Sequence, residues 1–366
     1  MASMENFDVD VVVKVLENAL FSPFFAFFVP VTFKSQGLGW SSPAVVNSSI
    51  YFICVLLFAL LRLSSRVWRN GRLMSEKLDW GEQVVVVTGG ASGIGALLAD
   101  TLAIRNVTVA VLDISPVVSE NDNIVYYKCD VSKWDEVSAV AKRITEEIGH
   151  PTVLVNNAGV VQGKLVLDLE PADIEQTFDT NVLAHFWTLK AFLPNMIKEK
   201  TGHIVTMSSV MGLVGAAQVA DYCASKAAVI GLHESLRYEL DHRYNTPSIR
   251  TTLVLPGHTH TPLFSRATLP QSAWFRFLAP SLHPHTVVKA IIAALDEHES
   301  RTIRLPFFTN FVGVVRLLPS WARDFFQWIS YADYTMQGFV KVSGRRADEG
   351  AIPSVESRSE HNGKAQ

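Results

Sequence analysis

The sequence predicts an α/β fold in which helices cover both faces of a doubly wound, seven-stranded parallel sheet. Seven short β-branched runs alternate with five amphipathic helical patterns over residues 79–305. Strands that alternate with helices of this length form parallel sheets. The runs are apolar throughout, as expected of strands that are buried on both faces.

The individual elements follow from hydrophobic periodicity. The predicted strands are residues 83–88, 107–113, 124–129, 152–156, 203–208, 248–255 and 302–305. The predicted helices are residues 94–105, 133–148, 171–198, 221–243 and 285–299. Residues 342–366 are polar and rich in serine and charge, so they are predicted to be a disordered tail.

The composition excludes several classes of protein. The 366 residues carry a net charge of −3, and a nucleic-acid binder would need a concentrated basic surface. The three cysteines, Cys54, Cys129 and Cys223, have no paired spacing, so they predict neither a disulfide framework nor a zinc site. Charged residues make up 18% of the chain, against about 25% in a typical soluble protein. The apolar excess must therefore lie in particular segments.

Two charge-free stretches near the N-terminus, residues 18–33 and 35–61, hold this excess. About 20 residues of helix span a bilayer, so the second stretch is long enough, whereas Pro23 and Pro30 interrupt the first. The first stretch either lies in the membrane or its interface without spanning, or forms a hairpin with the second. A buried core helix is the alternative. Positive charge marks the cytosolic side of a membrane helix, and basic residues follow at Arg62, Arg66, Arg69, Arg72 and Lys77.

A glycine-rich turn follows the first predicted strand and opens the first helix. Gly89, Gly93 and Gly95 stand there in the spacing G-x-x-x-G-x-G. Glycines permit a tight turn and let a pyrophosphate approach the helix N-terminus, where unpaired N–H groups favour anions. The turn between strand and helix therefore predicts a dinucleotide site.

Asp113 ends the second predicted strand, 18 residues after Gly95. A carboxylate there accepts hydrogen bonds from the adenosine ribose hydroxyls and repels a 2′-phosphate, and no basic residue adjoins it. We therefore expect NAD, with NADP as the alternative. If Asp113 only caps a turn, the sequence predicts no preference between NAD and NADP.

Tyr222 and Lys226 stand four residues apart, on one face of a predicted helix. A cation near a phenol stabilises the phenolate and lowers its pKa toward the working range of an acid–base catalyst. Ser209 lies 13 residues before Tyr222, at the end of a predicted strand. The combination with the nucleotide turn predicts an oxidoreductase site.

These residues resemble the short-chain dehydrogenase/reductase family, which has a Rossmann-type sheet, over residues 82–306. The matching motifs are residues 88–95, Asp130, residues 156–159, Asn181, Ser208-Ser209, Tyr222 with Lys226, and Pro256-Gly257 with Thr261.

The resemblance implies a role for each residue. Tyr222 would be the general acid/base, Lys226 would lower its pKa and hold the nicotinamide ribose, and Ser209 would bind the substrate oxygen. Asn181 would hold a water beside Lys226. Ser208 is the competing choice for the serine. The residues implied for the cofactor are Gly89, Gly93, Ile94, Gly95, Asp113, Asp130, Asn157, Tyr222, Lys226, Thr259 and Thr261.

The flanks are similar to those of the membrane-anchored retinol dehydrogenases, a subgroup that includes lipid-droplet hydroxysteroid dehydrogenases. Residues 1–78 would be the membrane anchor with its basic juncture, and residues 306–341 an apolar helical extension. Aromatic residues in this extension suit a membrane interface, a pocket wall or a dimer surface. The connection at 258–284 is also rich in aromatic residues and is expected to cover the nicotinamide. His258 and His260 lack an acidic partner, so no metal is predicted.

The sequence thus predicts a membrane-anchored NAD(P)-dependent oxidoreductase that interconverts an alcohol and a carbonyl on a retinoid, steroid or fatty derivative. We expect it at the endoplasmic reticulum or lipid droplet with its catalytic domain in the cytosol. The sequence is compatible with a homodimer. One alternative is an enzyme of polar metabolites whose anchor sets only its location. The other is a tethering protein that keeps a nucleotide-binding fold without turnover.

Overall fold

The predicted sheet is confirmed by a computed structural model, which describes residues 8–73, 77–265, 267–337 and 339. Seven strands pair in parallel in the order β3-β2-β1-β4-β5-β6-β7. The strands are β1 Val84–Thr88, β2 Thr108–Asp113, β3 Ile124–Lys128, β4 Val153–Asn156, β5 His203–Met207, β6 Arg250–Pro256 and β7 Arg301–Leu305. The predicted strand ends differ from these by at most two residues.

Helices flank the sheet and extend beyond it at both ends of the chain. In the described ranges they are α1 Val9–Asn18, α2 Pro23–Ser35, α3 Pro43–Asn70, α4 Gly93–Ile104, α5 Trp134–Glu147, α6 Pro171–Phe178, α7 Ala184–Glu199, α8 Ala220–His242, α9 Ala273–Leu278, α10 Pro284–Asp296, α11 Thr309–Val312 and α12 Ser320–Ser330. The predicted tail at 342–366 lies outside the described residues.

Two apolar layers enclose the sheet, because successive strand side chains point to opposite faces. Val85 and Val87 of β1 pack with α4 and α10, whereas Val86 packs with α5, α7 and α8. Both faces of the central strands are therefore buried, which explains why β1, β2 and β4 are apolar except at their ends.

The strand order places a crevice between β1 and β4. The chain adds β2 and β3 on one side of β1 and then returns to add β4 on the other side. Ligands of doubly wound sheets bind at this reversal, beyond the carboxyl ends of the strands. The loops after β1 and β4 consequently frame the candidate site.

The long helix predicted at 171–198 is interrupted. A π-helical segment, Asp179–Leu183, separates α6 from α7. A π segment inserts a residue into the helical repeat and is frequent at functional sites. The apolar periodicity continues across it, so the sequence pattern alone does not reveal the interruption.

The N-terminal helices form a unit with largely exposed apolar surfaces. By length and composition alone, α3 could cross a membrane, and α1 with α2 form a second apolar pair that is bent by 56°. α2 packs along α3, with the rings of Phe27 and Phe52 5.6 Å apart. Tyr51 of α3 donates a hydrogen bond to the carbonyl of Leu20, just before α2. The antiparallel packing of α2 on α3 resembles the hairpin that the sequence offered as one of its two alternatives for residues 18–33 and 35–61.

The end of α3 is fastened to the sheet domain. Arg66 forms an ion pair of 2.6 Å with the buried carboxylate of Glu299. Asn70 accepts a hydrogen bond of 2.7 Å from the backbone N–H of Ser300, the residue before β7. Because these contacts come from the last two turns of one continuous helix, the orientation of α3 relative to the domain is fixed.

Candidate active site

The glycine turn is shaped by close backbone approach. Gly89 and Gly93 have φ values of 66° and 60°, which favour glycine. A Cβ on Gly95 would lie 2.3 Å from the carbonyl oxygen of Gly89, and one on Gly89 would lie 2.8 Å from the Cα of Ala158. The turn therefore requires glycine at these positions.

The N-terminus of α4 provides a site for an anion. Ser92, which caps the helix, makes no side-chain hydrogen bond to it, so the N–H groups of the first turn, from Gly93 through Gly95, are open to a phosphate. Thr261 stands across the mouth, with its side chain 3.7 Å from where a Cβ of Gly93 would lie. Ile94 is half-buried beside the core. This turn fits the pyrophosphate of a dinucleotide.

Asn157 braces the turn. Its side-chain amide donates hydrogen bonds of 3.0 Å to the carbonyls of Thr88 and Gly89. The Thr88 hydroxyl in turn accepts from the backbone N–H groups of Asn157 and Ala158. Thr88 was absent from the predicted site residues, although its place at the carboxyl end of β1, before the glycines, was a signal. The loops after β1 and β4 are thereby locked together.

Asp113 combines the two roles that the sequence left open. Its carboxylate oxygens accept hydrogen bonds of 2.9 Å from the backbone N–H groups of Ala91 and Ser115. Each oxygen retains another acceptor site, because an ionised carboxylate has about four. Asp113 therefore caps the turns on either side and still presents acceptors where a ribose would lie.

Two further predicted cofactor residues lie at neighbouring loops. The carboxylate of Asp130 is partly buried, which raises its pKa, but hydrogen bonds from Ser132 and Lys133 outweigh burial and hold the pKa below its usual value. Thr259 is buried, and its hydroxyl donates to the carbonyl of Gly257. Asp130 is thus kept ionised near β3.

Tyr222 lies in the first turn of α8, against the end of β5. The Ser209 hydroxyl donates a hydrogen bond of 3.4 Å to the carbonyl of Pro256, and it also lies close enough to the phenol to oppose the rise in the pKa of Tyr222. The Ser208 hydroxyl instead donates to the backbone carbonyl of Lys226, at 2.8 Å. Of the two candidate serines, Ser209 is therefore the one that reaches the phenol.

Asn181 joins this cluster from the π segment. Its side-chain oxygen accepts from the N–H of Val160, and its amide donates to the carbonyl of Val160 and, at 2.9 Å, to the hydroxyl of Ser225. A Cβ on Gly159 would lie 3.3 Å from the Asn181 oxygen and 3.5 Å from Nζ of Lys226. Gly159 therefore leaves room for Asn181 and the ammonium on either side of it, while Ser225 accepts a hydrogen bond from the Asn181 amide. The site prediction gave neither Gly159 nor Ser225 a role.

Burial controls the electrostatics of the catalytic pair. It lowers the pKa of Lys226 from 10.5 to about 8 and raises that of Tyr222, an effect that the Ser209 hydroxyl opposes. Nζ of Lys226 donates to the carbonyl of Met207 at 3.0 Å and lies 5.7 Å from the centre of the Tyr222 ring. A lowered phenol pKa through Lys226 stays a prediction.

The phenol is enclosed by apolar side chains. The Phe264 ring stands edge-on to that of Tyr222, with centres 5.8 Å apart. The other members of this cluster are Val161, Val219, Cys223, Met336, Met211, Ala216, Leu263, Ala267 and Phe339. Leu263 and Phe264 come from the predicted substrate loop, whereas Met336 and Phe339 come from the C-terminal extension.

The glycine turn yields a first prediction. Gly95→Ala should weaken nucleotide binding about 10- to 100-fold, because a misplaced loop backbone costs about 1–3 kcal/mol. Gly231→Ala is the matched control, since its Cβ would meet no atom within 4 Å. Calorimetric titration with NAD measures both variants. Equal affinity in the two would show that the turn does not hold the nucleotide.

A second prediction concerns the buried ammonium. Below about pH 8 the folded protein carries the full cost of charging Lys226 in its interior, and this cost disappears as the pH rises toward 10.5. Lys226→Met should therefore be more stable than the parent protein at neutral pH, with the difference shrinking between pH 8 and 10.5. Thermal unfolding across that range tests this. A pH-independent difference would contradict the buried charge.

The comparisons with known proteins agree with this geometry. The family profile described as short chain dehydrogenase matches residues 83–271. Dehydrogenase RED2 of Cochliobolus heterostrophus is 40% identical over 57% of this chain and 81% of its own length. Retinol dehydrogenase 10-B of Danio rerio is 37% identical over 64% of this chain and 78% of its own length.

A solved structure shows the same fold. The aldohexose dehydrogenase of Thermoplasma acidophilum is 27% identical, with a TM-score of 0.53, over 61% of this chain and 92% of its own. The family match covers more than half of the present chain and contains the glycine turn and the tyrosine–lysine pair. The chain therefore belongs to the short-chain dehydrogenase family.

Proposed function

We propose that this protein is a membrane-anchored, NAD-dependent enzyme that interconverts an alcohol and a carbonyl on a lipophilic substrate. The observation that carries the proposal is the position of the Tyr222 phenol, which lies beside the Ser209 hydroxyl inside an apolar enclosure. An aliphatic or isoprenoid chain could occupy such an enclosure without leaving polar groups unpaired. A retinoid, steroid or fatty derivative meets this requirement, and similarity to retinol dehydrogenases supports it.

The side chains divide the proton chemistry between them. Ser209 donates a hydrogen bond to the substrate oxygen and fixes it beside the phenol. Tyr222 accepts the hydroxyl proton during oxidation and returns one to the oxygen during reduction. Lys226 stabilises the phenolate form by its charge, and Asn181 keeps the neighbouring backbone of Val160 and the Ser225 hydroxyl in place.

The glycine turn and Asp113 fit a dinucleotide. Open N–H groups at the start of α4 would hold the pyrophosphate, and Asp113 would accept the adenosine ribose hydroxyls, which favours NAD over NADP. When bound, NAD supplies the redox chemistry by accepting or donating a hydride at the nicotinamide. The protein contributes orientation and the proton.

The anchor would hold the enzyme at the endoplasmic reticulum or a lipid droplet. α3 provides an apolar helix of sufficient length, and its last turns carry Arg62, Arg66 and Arg69 toward the catalytic domain. Because positive residues stay on the cytosolic side, the domain would face the cytosol. Residues 1–78 would form the anchor, residues 79–305 the catalytic domain and residues 306–341 the extension.

Replacement of the phenol tests the proposed chemistry. Tyr222→Phe should lower turnover of a lipophilic alcohol such as retinol about 100- to 10,000-fold, because the proton acceptor is lost. NAD affinity should stay nearly unchanged, since the ring remains. Tyr238→Phe, at an exposed position of the same helix, is the control. NADH absorbance with the full-length protein in vesicles provides the assay, with NADP compared in parallel.

Two results would contradict the proposal. Full activity of Tyr222→Phe would remove the phenol from the chemistry. Turnover of short polar alcohols with none of retinol, steroid or fatty alcohols would contradict the lipophilic substrate while leaving the reaction type in place.

A further inference from the structure

One face of α12 exposes an unusual set of aromatic side chains. Trp321, Phe325 and Trp328 are 74%, 51% and 69% exposed. They recur at positions i, i+4 and i+7 and so share one side of the helix. Soluble proteins rarely leave large contiguous apolar patches uncovered. We call these three side chains the α12 aromatic face.

The α12 aromatic face lies beside the active site. Gln327 of the same helix donates a hydrogen bond of 3.2 Å to the carbonyl of Gly215, and Asp333 accepts one of 3.0 Å from the N–H of Ala217. Gly215 and Ala217 belong to the connection that leads into α8 and Tyr222. The helix is therefore attached to the carboxyl edge of the sheet, where the substrate must enter.

The same segment continues into the substrate enclosure. Met336, eight residues after Trp328, is buried in the cluster around Tyr222, and Phe339 packs against that cluster. The backbone N–H of Thr268, in the substrate loop, donates to the carbonyl of Thr335. The chain that follows α12 thus joins the α12 aromatic face to the apolar cluster around Tyr222.

The apolar N-terminal helices project from this edge too. Asp10 of α1 accepts a hydrogen bond of 2.8 Å from the N–H of Phe307, which follows the carboxyl end of β7. α1 spans only about 15 Å, and Leu20, just beyond it, accepts a hydrogen bond from Tyr51 in the first third of α3. The apolar half of α3 therefore extends on the active-site side of the sheet, although its last turn is fastened near the amino end of β7.

We propose that the α12 aromatic face lies in the interface of the bilayer that holds α2 and α3, so that the pocket opens toward lipid. Tryptophan favours this interface, and an amphipathic helix of this kind lies about 5–10 Å deep. A lipophilic alcohol would then reach Tyr222 from the membrane, an inference that rests on the proposed substrate class.

Depth-dependent quenching tests the location without any enzyme assay. Full-length protein with Cys54→Ser leaves only the buried Cys129 and Cys223, so a single added cysteine can carry a fluorescent NBD label. The variants are Trp321→Cys and Trp328→Cys, with Ile50→Cys as the bilayer control and Tyr238→Cys as the exposed control on α8. Each is reconstituted in phosphatidylcholine vesicles with and without doxyl-labelled lipid.

We expect doxyl lipid to reduce emission about twofold at positions 321 and 328 and at position 50, with no change at position 238. Quenching at position 50 but at neither α12 position would overturn the proposal. Energy transfer between labelled copies at position 321, without lipid quenching, would also overturn it and assign the face to a dimer contact. An unquenched label at position 50 would instead contradict the membrane anchor of the proposed function.

Substrate delivery provides a second, functional readout. Trp321→Gln combined with Trp328→Gln should raise the apparent KM for vesicle-dissolved retinol about threefold or more, because the α12 aromatic face would no longer hold the substrate entrance at the bilayer interface. The kcat and the KM for a short water-soluble allylic alcohol should not change, and Tyr238→Gln should affect neither substrate. An equal loss on both alcohols would contradict entry from the bilayer. Absence of turnover of retinol, steroid and fatty alcohols alike in the parent protein would contradict the proposed function itself, and the quenching experiment would then decide alone whether the α12 aromatic face lies in the bilayer interface.

Discussion

The burial of Lys226 is the constraint on which the active site depends. Its ammonium lies in the protein interior with one protein hydrogen bond, to the carbonyl of Met207, and burial lowers its pKa to about 8. Removing such a group from water is costly, so it persists only where the surroundings enforce it. β5 supplies the carbonyl, Gly159 leaves room for the charge, and the π segment brings Asn181 beside it. The topology gathers these elements at one edge of the sheet.

The fold was predictable because its signals are local. Apolar runs alternating with helical patterns specify a parallel sheet, and a parallel sheet places the glycine turn and the residue pair Tyr222 and Lys226 at the same edge. The π segment was missed because the apolar repeat continues through it. Met336 and Tyr222 belong to one apolar cluster although they are more than a hundred residues apart, and no local pattern encodes such packing. The family resemblance implied Asn157 only as a cofactor residue, and the structure adds that its amide braces the glycine turn.

Two N-terminal helices, α1 and α3, contact opposite ends of β7, an edge strand of the sheet. The apolar helix α3 ends in contacts with Glu299 and Ser300, before the strand, while Asp10 of α1 accepts a hydrogen bond from the backbone of Phe307 after it. Glu299 is buried, which opposes ionisation, yet hydrogen bonds and charges from Arg66 and Arg301 hold its pKa below the usual value. These contacts consequently couple α3 to the same sheet that positions the catalytic residues.

We infer that the buried phenol of Tyr222 becomes a proton acceptor when the positive charge of oxidised NAD adds to that of Lys226. The most direct measurement is the ultraviolet titration of tyrosinate in the parent protein minus that in Tyr222→Phe, with and without oxidised NAD. Burial raises the pKa of Tyr222 in the protein alone. We expect the tyrosinate absorbance of Tyr222 to appear at a lower pH when oxidised NAD is present. A signal at the same alkaline pH in both conditions would contradict it.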